Sequence, residues 1–227
     1  MRNNSFRGGV LSAAALLLAA TAMASGPCAQ ATPVATLAGP EEPGERLVVT
    51  GTVFAPDGKT PAAGVFLYVY NTDATGHYAR EKGAPPRLRG WMKTGPDGRY
   101  EYRTIRPASY PGSTIAAHVH TQLWGGGYPP QSNTELLFEG DPFLTAKERS
   151  DSEALGRFAF IRPAPRDAQG VRHAVHDLRL KTTGSQFSGN IQHGMDPCGV
   201  RLSAGGIRSA NGGREILARP GAEPSSF

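Results

Sequence analysis

Cysteine is nearly absent: Cys28 and Cys198 are the only two among 227 residues, too few for a disulfide framework or a cysteine-rich metal knuckle. A basic excess is missing where it would matter. The formal charge is +5, yet residues 32–181 hold 18 Lys and Arg against 16 Asp and Glu, and the rest of the surplus sits at the two ends, in Arg2, Arg7, Arg201, Arg208, Arg214 and Arg219. No strong field is left to attract a polyanion, so a nucleic-acid partner is not expected. Long apolar runs are lacking as well, apart from one near the N-terminus.

That run defines the first segment. Arg2 and Arg7 precede an apolar stretch over 10–24 broken only by Ser12 and Thr21, and this pattern reads residues 1–31 as a signal peptide. Small residues at cleavage spacing occur twice, in Ala22-Met23-Ala24 and Ala29-Gln30-Ala31. The stretch is short for a membrane span, Pro27 beside Cys28 argues against a lipoprotein signal, and an uncleaved anchor is the alternative. The expected location is therefore periplasmic or secreted. Cleavage after Ala24 leaves Cys28 and Cys198 able to pair, whereas cleavage after Ala31 leaves Cys198 alone. Cys198, with no base directly beside it, is expected to be an exposed passenger rather than a nucleophile.

What the chain has in quantity is glycine and proline, 29 and 19 residues, separating short runs rich in Val, Tyr, Phe and Thr. Such punctuation predicts an all-β antiparallel sandwich of about seven to eight short strands with long functional loops. A linker over 32–45 leads into a domain over 46–181, and a polar, Gly- and Ser-rich stretch over 182–227 is expected to be a disordered tail. Strands are predicted over 47–54, 65–71, 100–105, 115–123, 134–139, 156–161 and 174–180. In the second of these Val65, Leu67 and Val69 share one face and Phe66, Tyr68 and Tyr70 the other, so both faces are bulky and the strand should be central. Residues 72–93, with Pro85-Pro86 and three glycines, read as a surface excursion of functional length.

Alternation along a strand puts His118 and His120 on one face and Val119 on the other, which is a simple way for one strand to offer two imidazoles to a metal. By themselves two such residues are equally read as ordinary polar strand positions. The surrounding runs are more specific: Gly76-His77-Tyr78, Arg89-Gly90, Asp97-Gly98-Arg99-Tyr100, Arg103-Thr104-Ile105-Arg106-Pro107, Tyr110-Pro111, His118-Val119-His120 and Phe138-Glu139-Gly140-Asp141-Pro142. In this order, from about residue 48 to 180, they resemble the intradiol ring-cleavage dioxygenases, of the catechol and protocatechuate 3,4-dioxygenase kind. The resemblance implies a divergent exported member with Fe(3+) bound by Tyr78, Tyr110, His118 and His120. Two phenolates are hard anionic donors that suit a ferric ion. It further implies an oxidoreductase that inserts both atoms of O2 into a catechol-type diol and opens the ring between the hydroxylated carbons. Tyr110 would be the ligand that substrate displaces, and so a catalytic residue.

Two positions depart from the family pattern. Ile115 stands where an arginine is expected three residues before the first histidine, and Glu135 stands where a glutamine is expected. Arg89 and Arg106 are the candidates to supply the missing positive charge, against the plainer reading of solvent-paired surface arginines. Trp91, Trp124 and Tyr128 either line an aromatic pocket or pack in the core. His173 and His176, three apart on a predicted strand, should face opposite sides, which argues against a second metal site. A sandwich could also serve a non-catalytic transthyretin-like binding module, and metal content with colour separates the two readings.

Overall fold

The computed structural model describes residues 28–81, 83–132 and 135–184, with the backbone of 200–203 and 206–209. All but the last four residues of the expected signal segment lie outside the described residues.

Two sheets face each other across one core, as the all-β reading expects. The first contains β1 (Val34–Thr36), β2 (Arg46–Phe54), β5 (Arg99–Ile105), β10 (Arg172–Val175) and β11 (Leu178–Arg179). The second contains β3 (Val65–Asn71), β4 (Leu88–Lys93), β6 (His118–Gly125), β7 (Tyr128–Ser132), β8 (Leu136–Phe138) and β9 (Ile161–Arg162). Antiparallel pairs form the body of each sheet: β2 with β5, and β3 with both β4 and β6. Short edge strands β1, β9, β10 and β11 add in parallel. Runs of two to four residues carry too little periodicity to be read from sequence, so these additions become visible only in the folded chain.

The β2–β3 connection turns at Asp57, whose Oδ1 accepts from Lys59 N (2.8 Å) and Thr60 N (2.9 Å). Strand alternation then sends Leu47, Val49 and Val53 of β2, Val65, Leu67 and Val69 of β3, and Val119 and Leu123 of β6 into the core. Burying each such side chain contributes about 1.5–3 kcal/mol. As expected, β3 lies centrally, between β4 and β6. Its other face, with Phe66, Tyr68 and Tyr70, joins Trp91 and Trp124 in a separate aromatic cluster on the outside of the second sheet. The buried Asn71 ties the sheets together: its Oδ1 accepts from Thr104 Oγ1 on β5 (2.9 Å) and its Nδ2 donates to Thr72 O (2.7 Å).

Three local expectations are corrected. The end of the 72–93 excursion is strand β4, because Leu88, Gly90 and Met92 alternate toward the core once Pro85-Pro86 has passed. Strand β6 begins at His118, not at 115, and Ile115 is half exposed. Residues 156–158 form a 3-10 turn after helix α1 (Ala146–Ala154), leaving only β9 of the predicted strand. The helix carries a capping box, Thr145 Oγ1 accepting from Glu148 N (3.1 Å) and Thr145 N donating to Glu148 Oε2 (2.7 Å). That Thr-x-x-Glu signature is legible in the sequence. In the expected tail, β12 (Val200–Ser203) and β13 (Gly206–Ser209) pair as a separate antiparallel hairpin, and 185–199, 204–205 and 210–227 lie outside the described residues. Among the described residues no helix is long and apolar enough to cross a membrane.

Candidate metal centre

The site forms where the outer face of the second sheet meets two loops. On β6, His118 and His120 point outward because Val119 between them is in the core. Opposite His120 on β3 stands Tyr70, whose ring stacks on the imidazole at 4.5 Å and 19°. Ala117, just before the strand, is held by the buried Asp141, whose Oδ2 accepts from Ala117 N (3.1 Å) and whose Oδ1 accepts from Phe143 N (3.0 Å). This gives the Glu-Gly-Asp-Pro run a physical purpose.

Tyr78 and Tyr110 come from loops that are clamped together. Asp73 Oδ1 accepts from Thr75 N (2.9 Å), Thr75 Oγ1 (2.7 Å) and His77 N (3.1 Å), shaping the turn before Tyr78. Burial opposes ionisation of Asp73, but these hydrogen bonds and Arg87 outweigh it and hold the carboxyl down at about 2. Gly76 lies at φ 84°, and a Cβ there would meet Ser109 O at 2.2 Å. Only glycine allows that approach. Thr72 Oγ1 donates to Ala108 O (2.7 Å) and Ala108 N to Asp73 O (3.2 Å), closing the seam next to Tyr110.

Four donor atoms converge as a closed ring. Tyr78 Oη is 2.5 Å from Tyr110 Oη and 2.5 Å from His120 Nε2, Tyr110 Oη is 2.8 Å from His118 Nε2, and the two Nε2 atoms are 3.1 Å apart. The four residues singled out in the sequence are thus the four brought together. Each histidine uses its other nitrogen behind the ring: His118 Nδ1 donates to Ala116 O (2.7 Å), and His120 Nδ1 lies 2.6 Å from Glu135 Oε1. Both Nε2 lone pairs are thereby turned inward. Burial raises the pKa of Tyr78, with the Tyr110 hydrogen bond adding to it, and burial also raises that of Tyr110. Without a cation both phenols are neutral, and a trivalent ion among them would draw the protons off. Two phenolates and two imidazoles form a hard donor set, which fits ferric iron better than the thiolate or all-imidazole sets suited to softer ions.

Tyr78 and Tyr110 are held differently. Tyr78 packs on the aromatic cluster, with Tyr70 at 5.6 Å, whereas Tyr110 meets His118 edge-on at 5.3 Å and lies outside that cluster. Of the other candidates, Arg89 sits over Trp91 at 5.8 Å, and Arg106 sits over Phe138 at 5.3 Å with Asp141 3.9 Å away, so both are already engaged. Trp124 stacks on Phe66 at 5.7 Å and is buried, Trp91 packs on Tyr68, and Tyr128 leans on the main core. His173 is exposed and paired with Asp167 (2.7 Å), while His176 is buried. What the sequence reading missed is the contact of Glu135 with His120. Burial works against this carboxylate, yet the His120 hydrogen bond and the electrostatic attraction of the two imidazoles outweigh it and hold the group below the ordinary carboxylate range. The pairing of β8 with β6 brings it there, a register no local pattern reveals.

The family model described as Dioxygenase matches residues 21–180. The chain is 37% identical over 102 residues to catechol 1,2-dioxygenase 1 of Acinetobacter lwoffii, covering 43% of this chain and 27% of that protein. It is 35% identical over 124 residues to chlorocatechol 1,2-dioxygenase of Rhodococcus opacus, covering 46% and 48%. It therefore spans less than half the length of these curated relatives. Among solved structures, the dioxygenase domain of a dioxygenase and carbohydrate-binding fusion protein from Streptomyces sp. SirexAA-E superposes with a TM-score of 0.51 at 29% identity, covering 65% of this chain and 87% of that one.

Proposed function

The chain belongs to the intradiol dioxygenase family, and from that premise we propose that it is a non-haem iron(III) enzyme that inserts both atoms of O2 into a catechol-type diol and cleaves the ring between the hydroxylated carbons. The observation that carries this reading is the closed ring of Tyr78, Tyr110, His118 and His120 donor atoms. A structural role for the sandwich gives no reason to turn four such atoms onto one point.

Tyr78, His118 and His120 would be the ligands that stay. Tyr78 is pinned by the aromatic cluster, and each imidazole is fixed through its Nδ1. Tyr110, which lies outside that cluster, would be the ligand that gives way to the diol, its Oη accepting a proton from a substrate hydroxyl. Iron(III), when bound, supplies a Lewis-acidic and redox-capable centre for the chelating diol and dioxygen. Ile115, half exposed three residues before His118, offers apolar surface rather than charge.

Export is part of the same proposal. Cys28 is disulfide-bonded, which fits an oxidising compartment, and a mature chain that keeps Cys28 is the one cleaved after Ala24. The test is metal analysis, visible spectroscopy and oxygen uptake with a catechol panel. About one iron per chain, a tyrosinate-to-iron charge-transfer colour and a ring-opened diacid are expected. Colourless protein with stoichiometric zinc would sink the reading.

A further inference from the structure

The two histidines of the site are backed by groups of different charge. Behind His118 stands a neutral carbonyl, Ala116 O, at 2.7 Å from Nδ1. Behind His120 stands a carboxylate, Glu135 Oε1, at 2.6 Å from Nδ1, and its second oxygen lies 3.9 Å from His118 Nε2. Glu135 therefore flanks the ring of donors, with one oxygen committed to His120 and the other facing the centre's edge. Both arginines near the site are occupied elsewhere, Arg89 by Pro86 O and Trp91 and Arg106 by Phe138 and Asp141.

A carboxylate on the outer nitrogen makes an imidazole a stronger donor and fixes its ring orientation. It also adds a negative charge beside the donor atoms. Two phenolates and this carboxylate carry three negative charges in all, which balance a ferric ion and overbalance a ferrous one. From this geometry we infer that Glu135 is a positioning residue of the metal centre: it turns His120 Nε2 inward, and its charge holds the iron in the ferric state. The inference rests on the proposed iron reading and goes beyond it, since neither the ligand set nor the reaction requires a charged group at this place.

The experiment compares wild type, Glu135→Gln and Glu135→Ala for iron content, charge-transfer band and midpoint potential, with Asp167→Asn as control. Asp167 makes a similar contact to His173 (2.7 Å) away from the centre, so its variant should match wild type. Glu135→Gln should keep its iron, because the amide oxygen still accepts from Nδ1. Its band should move to lower energy, and its preference for ferric over ferrous iron should fall at least tenfold, a rise of about 59 mV. Glu135→Ala should bind iron about 10- to 100-fold more weakly. A Glu135→Gln protein with wild-type band and potential overturns the inference. So does one that loses iron as completely as His120→Ala, since Glu135 would then be a ligand itself. Zinc in the wild type defeats the iron reading separately. In that event a Glu135→Ala protein with undiminished zinc affinity would remove the orienting role too.

Discussion

Replacing Tyr110 by Phe separates metal holding from turnover. The change removes one oxygen, the one 2.5 Å from Tyr78 Oη and 2.8 Å from His118 Nε2, and leaves the ring volume intact. Three donors remain, each fixed independently of Tyr110: Tyr78 by the aromatic cluster, His118 by Ala116 O and His120 by Glu135. Most of the iron should therefore stay. The acceptor for the proton of the incoming substrate hydroxyl is gone, and a general base contributes about 100- to 10,000-fold. That is about 3–5 kcal/mol in the barrier, at about 1.4 kcal/mol per tenfold. Tyr78→Phe should act in the opposite sense, stripping the metal or shifting its colour strongly. The assay measures iron per chain, visible spectrum and oxygen uptake with catechol for both variants beside wild type. If Tyr110→Phe turned over at the wild-type rate, Tyr110 would not be the ligand that leaves.

Two further outcomes test the scaffold. Burial, with Arg162 nearby, lowers His176 from 6.5 to about 4, so the unfolded chain binds more protons between those values. Stability is then fully present above about pH 6.5 and lost as pH falls toward 4, by up to about 3 kcal/mol at 1.36 kcal/mol per unit. Urea unfolding at pH 7 and pH 4.5 should show this loss in wild type and a shallower one in His176→Gln; equal slopes would refute it. Gly76→Ala must take up a left-handed conformation costing roughly 1–2 kcal/mol and must also push apart the backbones that meet at the Ser109 contact. It should lower both melting temperature and iron affinity, and unchanged iron affinity would show that the seam does not position the tyrosines.

The parts of this fold that were legible are those where chemistry repeats along the chain. Alternation in 65–71 and 118–120 marks the two central strands, their faces and the outward histidines, because the two-residue period is a local property. The four residues whose donor atoms converge were singled out through ordered motif runs, not through any single spacing. What escaped depends on contacts distant in sequence. Strand β4 was hidden inside an irregular stretch, since Leu88, Gly90 and Met92 become a pattern only beside β3. Glu135 was visible as a departure, but its contact with His120 exists only once β8 pairs with β6. The helix is a different kind of omission, as Thr145 and Glu148 announce its start within the sequence itself.

The Gly76 seam has a consequence in time. Because the Ser109 carbonyl is packed against a residue with no side chain, and Thr72 and Asp73 hold Ala108, the segments carrying the two tyrosines form one backbone unit. Withdrawal of Tyr110 then needs no loop to open, only rotation about its own side-chain bonds. Loop displacements extend to microseconds, and a side chain whose backbone is held in this way would move without one. The exchange of phenol for substrate would thus leave the backbone in place, and the seam would keep the vacated position in register for the tyrosine's return.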